Sequence, residues 1–181
     1  MKVRVLTAED ASVWQALRLA ALRDHPEAFG SAYEDELTLS LETVAERLRP
    51  QPDRRVFGAW VGDELAGVLS FHRSPGRKTR HRGGLGAMYV APAHRGQHIG
   101  RRLLDAAIQH ARTLPDLEEL VLAVTVGNPV ARHLYLAAGF EPSHIEPRYI
   151  KVGDQYYDIE WLSLHLHREQ PLRKLVAGLA T

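Results

Sequence analysis

The chain has 181 residues, 45% of them hydrophobic, enough for a single domain over residues 1–181 with one core of helices packed on a sheet. Twenty-three Lys and Arg against 22 Asp and Glu leave a net charge of +1, which provides no general pull toward nucleic acid. Cysteine is absent, which excludes disulfides, thiolate metal sites and a cysteine nucleophile, and no apolar run reaches membrane-spanning length; a cytoplasmic protein without nucleic-acid or membrane partners is expected.

Residues 2–6 alternate as a strand. Thr7 and Asp10 then form a capping-box pattern that opens a helix to about Arg23, with Val13, Leu17, Ala20 and Ala21 as its apolar face. Residues 25–40 are polar and rich in turn formers, and carry Tyr33-Glu34-Asp35-Glu36, either a solvated acidic turn or a source of carboxylates. Ser40 caps a short helix that ends before Pro50. Residues 55–61 and 64–71 read as strands about a Gly62-Asp63 turn. Next, Arg73, Arg77, Lys78, Arg80 and Arg82 crowd a turn containing Gly and Pro, which reads as a solvated hairpin tip, an acidic-partner surface or a subunit contact.

Residues 85–90 have the length and apolar character of a buried strand, closed by Pro92. Ile99, Leu103, Leu104, Ala107, Ile108 and Ala111 recur at helical spacing, so residues 91–98 join a strand to a helix start. The first N–H groups of a helix lack intrahelical partners and sit at the positive end of its dipole, which suits a phosphate. Gly96 and Gly100 admit ligand oxygens close to the backbone. Arg95, Arg101 and Arg102 oppose the dipole unless an anion binds among them.

Residues 120–126 read as another strand, after which Asn128 is a suitable N-cap, Pro129 suits the first helical position and Gly139 a helix stop before Phe140. Tyr135 lies nearly two turns beyond Asn128, so both can project along one face. Residues 144–152 and 155–166 are extended around Gly153-Asp154, and residues 167–181 read as a basic, weakly helical tail. The last strand and the tail could mediate a homodimer. The ten histidines show no metal-ligand spacing.

Two blocks carry a resemblance. Arg95-Gly96-Gln97-His98-Ile99-Gly100 resembles the Arg/Gln-x-x-Gly-x-Gly/Ala acyl-CoA signature of the GNAT N-acetyltransferase superfamily, with His98 at one of the glycine positions. Asn128, Ala131, Leu134, Tyr135, Gly139 and Phe140 match the family's Asn-x-x-Ala-x-x-Leu-Tyr-x-x-x-Gly-Phe element without departure. The resemblance implies an α/β fold, a mixed and mostly antiparallel central sheet flanked by helices, with splayed fourth and fifth strands. It also implies acetyl-CoA as co-substrate, its diphosphate on residues 95–101 and its pantetheine arm on the main chain of Met88 and Val90. The expected cofactor-binding set is Met88, Tyr89, Val90, Arg95, Gly96, Gln97, His98, Gly100, Arg101, Asn128 and Tyr135. At His98 a backbone conformation open mainly to glycine would be costly, while its ring could donate to a phosphate.

On this resemblance a primary amine, on a small molecule or a peptide, attacks the thioester directly. Main-chain N–H groups near Met88–Val90 stabilise the oxyanion and Tyr135 is the general acid for the departing thiolate. The glutamate that many relatives place on the fourth strand is missing from residues 85–90, so Glu36 is the expected base with Glu34 second. The missing glutamate also leaves open a non-catalytic acyl-CoA-binding module.

Overall fold

The structure is a computed structural model, and residues 1–166 are described; the expected tail at 167–181 lies outside them. In chain order the elements are β1 (Lys2–Val5), α1 (Ala11–Asp24), α2 (Tyr33–Leu37), α3 (Leu41–Leu48), β2 (Arg54–Val61), β3 (Glu64–Arg73) and β4 (Arg82–Val90). There follow α4 (Ile99–Arg112), β5 (Glu119–Thr125), α5 (Pro129–Ala137), β6 (Glu141–Val152) and β7 (Gln155–His165). Short 3-10 turns at Ala8–Asp10, Pro26–Ala28 and Pro92–His94 link them.

The seven strands form one sheet in the order β1-β2-β3-β4-β5-β7-β6. Every neighbouring pair is antiparallel except β4 and β5, which run parallel. This is the mixed, mostly antiparallel architecture that the resemblance implies. On one face α4 and α5 close a core around Phe71, Leu103, Leu104, Leu120 and Phe140. On the other, α1 and α3 bury Leu6, Trp14, Leu22, Val44 and Leu48.

Local chemistry explains most boundaries. Thr7 N–H donates to Asp10 Oδ2 at 2.8 Å, closing one arm of the expected capping box, and Arg4 grips the same carboxylate through two bonds of 2.7 Å. That grip holds the Asp10 carboxyl below its ordinary range. Ser40 Oγ accepts from Thr43 N–H at 3.2 Å, starting α3 where its capping chemistry predicts. All six apolar positions expected on α4 are buried.

Three expectations need correction. Val13 is 43% exposed; the buried stripe of α1 is Ala11, Trp14, Arg18, Ala21 and Leu22, because an aliphatic arginine stem replaces a hydrophobe at the central position. The acidic segment at 33–37 is a helical turn, α2, too short to show periodicity. At the basic hairpin Arg77 and Lys78 are exposed at the tip, as expected of a solvated turn, but Arg73 is not part of that tip. Arg73 is buried, with Nη2 donating to Pro115 O at 2.7 Å and Nη1 3.6 Å from Asp53. Arg80 pairs with Asp53 and Arg82 with Glu119. Among the described residues no helix is long and apolar enough to cross a membrane.

Candidate functional site

The site begins where β4 and β5 part. Their ladder holds only from Arg82 opposite Glu119 to Gly84 opposite Val121. Past it, Val68 pairs with Tyr89 and Ser70 with Gly86, so Ala87 and Met88 together face Leu69 alone. This is a β-bulge with Ala87 in the left-handed region at φ 51°. Ser70 Oγ donates to Gly86 O at 2.8 Å and fixes its base. The bulge bends β4 away from its parallel neighbour and leaves backbone groups of both strands facing a gap.

That gap is a cavity of about 80 Å³, lined among others by Phe29, Gly86, Met88, Thr125, Asn128 and Tyr135. It adjoins a cleft of about 710 Å³, with which it shares Ala28, Phe29, Met88, Asn128 and Ala131. The cleft runs along Met88, Tyr89 and Val90 to Arg95, Gly96, His98, Gly100 and Arg101. Of the expected cofactor-binding set, nine line this cleft, Tyr135 lines the adjoining cavity, and Gln97 lines neither. The two sequence blocks therefore meet across one continuous recess.

Its outer end is the start of α4. Gly96 has φ 78° and His98, the residue before the helix, φ 58°. His98 thus adopts the conformation whose cost the sequence reading anticipates. A Cβ on Gly96 would meet nothing within 4 Å, so space is free around this backbone. Arg95 Nε donates to Val90 O at 3.1 Å, and Nη2 lies 3.1 Å from His25 Nε2. Arg101 is tied to Asp105 Oδ1 at 2.9 Å and to Ala137 O at 3.0 Å, at the end of α5.

At the inner end Asn128 caps α5, its Oδ1 accepting from Ala131 N–H at 3.1 Å. Tyr135 is 7% exposed, and its hydroxyl donates to Met88 Sδ at 3.6 Å. Burial pushes its phenol up to about 12.

A third recess, of about 730 Å³, lies between the segment Leu22–Glu34 and the β6–β7 hairpin at residues 149–153, with Tyr33, Glu34 and Tyr149 on its walls. Phe29 lines this recess as well as the cleft and the cavity, and so forms their common wall. Glu36 lines none of the three. Its carboxylate lies 3.2 Å from Arg47 Nη1 and 3.8 Å from Arg18 Nη2, and its side chain is 13% exposed. Glu34 does line the third recess, and among the described residues no ion pair engages it. His25, Glu27 and Phe29, around the Pro26–Ala28 turn, also face the cleft although no sequence motif marks them. Pro26 was the sole local cue, since three residues are too few for a periodic signal. Among the described residues no three His, Cys, Asp or Glu are grouped to hold a metal.

The cradle of helix start, glycines and arginines fits a diphosphate, and the unpaired strand edges fit an amide-bearing arm. Comparison with known proteins shows the family. The profile described as the Acetyltransferase (GNAT) family matches residues 14–140. A spermidine N(1)-acetyltransferase from Vibrio cholerae is 32% identical over 81 residues, 44% of this chain and 46% of that protein, so the match spans about half the relative's length. A GNAT-family acetyltransferase structure from Streptococcus pneumoniae superposes with a TM-score of 0.81 at 21% identity, covering 91% of this chain and 98% of that one. A structure from Salmonella typhimurium with its cofactor acetyl-CoA also reaches 0.81, at 20% identity over 96% of this chain and 98% of the other. At such identities these two show likeness of fold, and the family follows from the profile: the chain belongs to the GNAT acetyltransferase family.

Proposed function

We propose that the protein transfers the acetyl group of acetyl-CoA to a primary amine by direct attack, with Tyr135 as the general acid. The observation that carries this reading is the place of Tyr135 Oη, buried on the wall of the cavity and donating to Met88 Sδ, a residue that lines both cavity and cleft. The bound thioester supplies an activated acyl carbonyl. Arg95, Gly96, His98, Gly100 and Arg101, with the adjoining Gln97, hold the diphosphate. Main-chain groups of Met88, Tyr89 and Val90 hold the arm, and Asn128 orients it from the opposite wall.

As the new C–N bond forms and the C–S bond breaks, the amine loses a proton and sulfur gains one. Tyr135 delivers the second. The thiolate of a thiol of ordinary acidity, about 8.5, is a weaker base than the phenolate of a tyrosine at about 12, so transfer to a free thiolate would run uphill by about 5 kcal/mol. The proton must therefore move while the C–S bond is still breaking. For the first proton, Glu34 is better placed than Glu36. Glu34 faces the third recess, whereas Glu36 lines no recess and its carboxylate is shared by two guanidinium groups.

The third recess is the acceptor's entrance in this reading, and it meets the cofactor's cleft at Phe29, which lines both. Glu34 beside the rings of Tyr33 and Tyr149 favours a cationic amine. Arg23 and Lys151 line the same recess, but Arg23 is bonded to Asp24 and Lys151 lies over the Tyr156 ring. The name of the Vibrio relative, a spermidine acetyltransferase, agrees with such an acceptor.

The test is thiol release from acetyl-CoA over polyamines, amino acids and short peptides. A cationic amine should be consumed, and Tyr135→Phe should lower kcat about 100-fold or more while acetyl-CoA affinity changes less than about twofold. Binding of acetyl-CoA without thiol release from any amine would instead mark a non-catalytic acyl-CoA module.

A further inference from the structure

We propose that His25, backed by Glu27, is a positioning residue that holds Arg95 ready for the diphosphate; this rests on the cofactor reading above. Arg95 is an exposed residue on a loop, a setting in which a long side chain ordinarily samples many rotamers. Here three neighbours fix it. Its Nε donates to Val90 O at 3.1 Å, its Nη2 to His25 Nε2 at 3.1 Å, and its carbon lies 5.8 Å from the Tyr89 ring centroid. A guanidinium can only donate, so His25 Nε2 must carry a lone pair and the ring proton sits on Nδ1. Nδ1 faces Glu27 Oε1 at 3.6 Å, which favours that tautomer. The His25 ring also leans on Tyr89, centroids 6.2 Å apart.

The support continues to the sheet. Thr125 Oγ1 donates to Glu27 O at 2.8 Å, so the turn that carries His25 and Glu27 is anchored to β5. A chain of contacts thus runs from β5 through the turn to Arg95 and β4, across the two walls of the cleft. Arg95 has five N–H groups; two are engaged, and three remain for an anion. Fixing this side chain before binding removes part of the ordering cost from the binding step.

Calorimetry with coenzyme A, paired with steady-state kinetics, tests the idea on the full chain. His25→Phe keeps a ring beside Tyr89 but accepts no hydrogen bond. It should weaken coenzyme A about three- to tenfold and raise the KM for acetyl-CoA alike, with kcat at saturation retained. His25→Gln, whose carbonyl can accept from Arg95, should restore affinity to within about twofold of wild type. In an Arg95→Ala background His25→Phe should cost less than about twofold. Unchanged affinity in His25→Phe, no recovery in His25→Gln, or independent losses in the double variant overturns the proposal. Wild-type protein that binds no coenzyme A overturns the functional reading beneath it, a result read before any variant is made.

Discussion

His110 shows how one side chain can tie stability to pH without any part in catalysis. It is 9% exposed on α4, edge-on to the Phe71 ring at 5.1 Å, with Nε2 donating to Pro52 O at 3.1 Å. Burial lowers its pKa, an effect that Arg55 reinforces and that the Pro52 bond and Asp53 oppose. The folded protein thus prefers the neutral ring more strongly than the unfolded chain does, whose value is about 6.5. The contribution is complete above that value and is lost as pH falls below it toward the folded value. Melting temperature should therefore drop between about pH 7 and pH 5. His110→Gln, which keeps a donor for Pro52 but does not titrate, should show a shallower drop in calorimetric scans. Equal slopes would mean that the fold does not favour the neutral ring.

At the scale of elements, α4 and the loop before it were the most legible part of the sequence. Six apolar positions at helical spacing and two glycines were enough to place both, because helix periodicity and turn chemistry are local properties. Asn128 and Pro129 fixed the start of α5 for the same reason. The bulge at Ala87–Met88 was not legible, since a bulge is defined by the register of two strands and residues 85–90 carry half of that information. Nor was the third recess, whose walls come from residues 22–34 and 149–153. Glu36 is expected from the resemblance, by its place between the first two helices; Arg18 and Arg47, which pair with it, lie on two other helices and are not legible from that place. Gly96 offers a test of the cradle's backbone. Its φ of 78° is unfavourable for a residue with a Cβ, while a Cβ there would touch nothing. Gly96→Ala should consequently lose about 1–2 kcal/mol of unfolding free energy through strain alone. Relaxing that strain would turn amides away from the cradle, so coenzyme A affinity should fall with it. A variant as stable as wild type would show that the loop shifts without cost.

Across the whole molecule, the β4–β5 seam is the weakest join in the sheet. Three residue pairs connect the β1–β4 half to the β5-β7-β6 half, and β4 then leaves its partner. Helices α4 and α5 bridge the halves from one face, while α1 and α3 cover the other. A ligand arm laid along Met88–Val90 would supply the hydrogen bonds that a paired strand would have made, and the diphosphate would engage the amides at the start of α4. Coenzyme A at about 100 times its Kd should then stabilise the fold by about 2.7 kcal/mol, a melting shift of roughly 5–11 °C for a chain of this size. The two halves of the ligand should act at different places. ADP should protect amides around residues 96–101 from hydrogen exchange and leave β4 unchanged, whereas pantetheine should slow exchange at Met88 and Val90 with little effect on the loop. Intact coenzyme A should do both and hold the seam closed, because one tether then spans the start of α4 and the open end of β4. Stabilisation without slower exchange at Met88 and Val90 would place the arm elsewhere and leave the parted strands without a role.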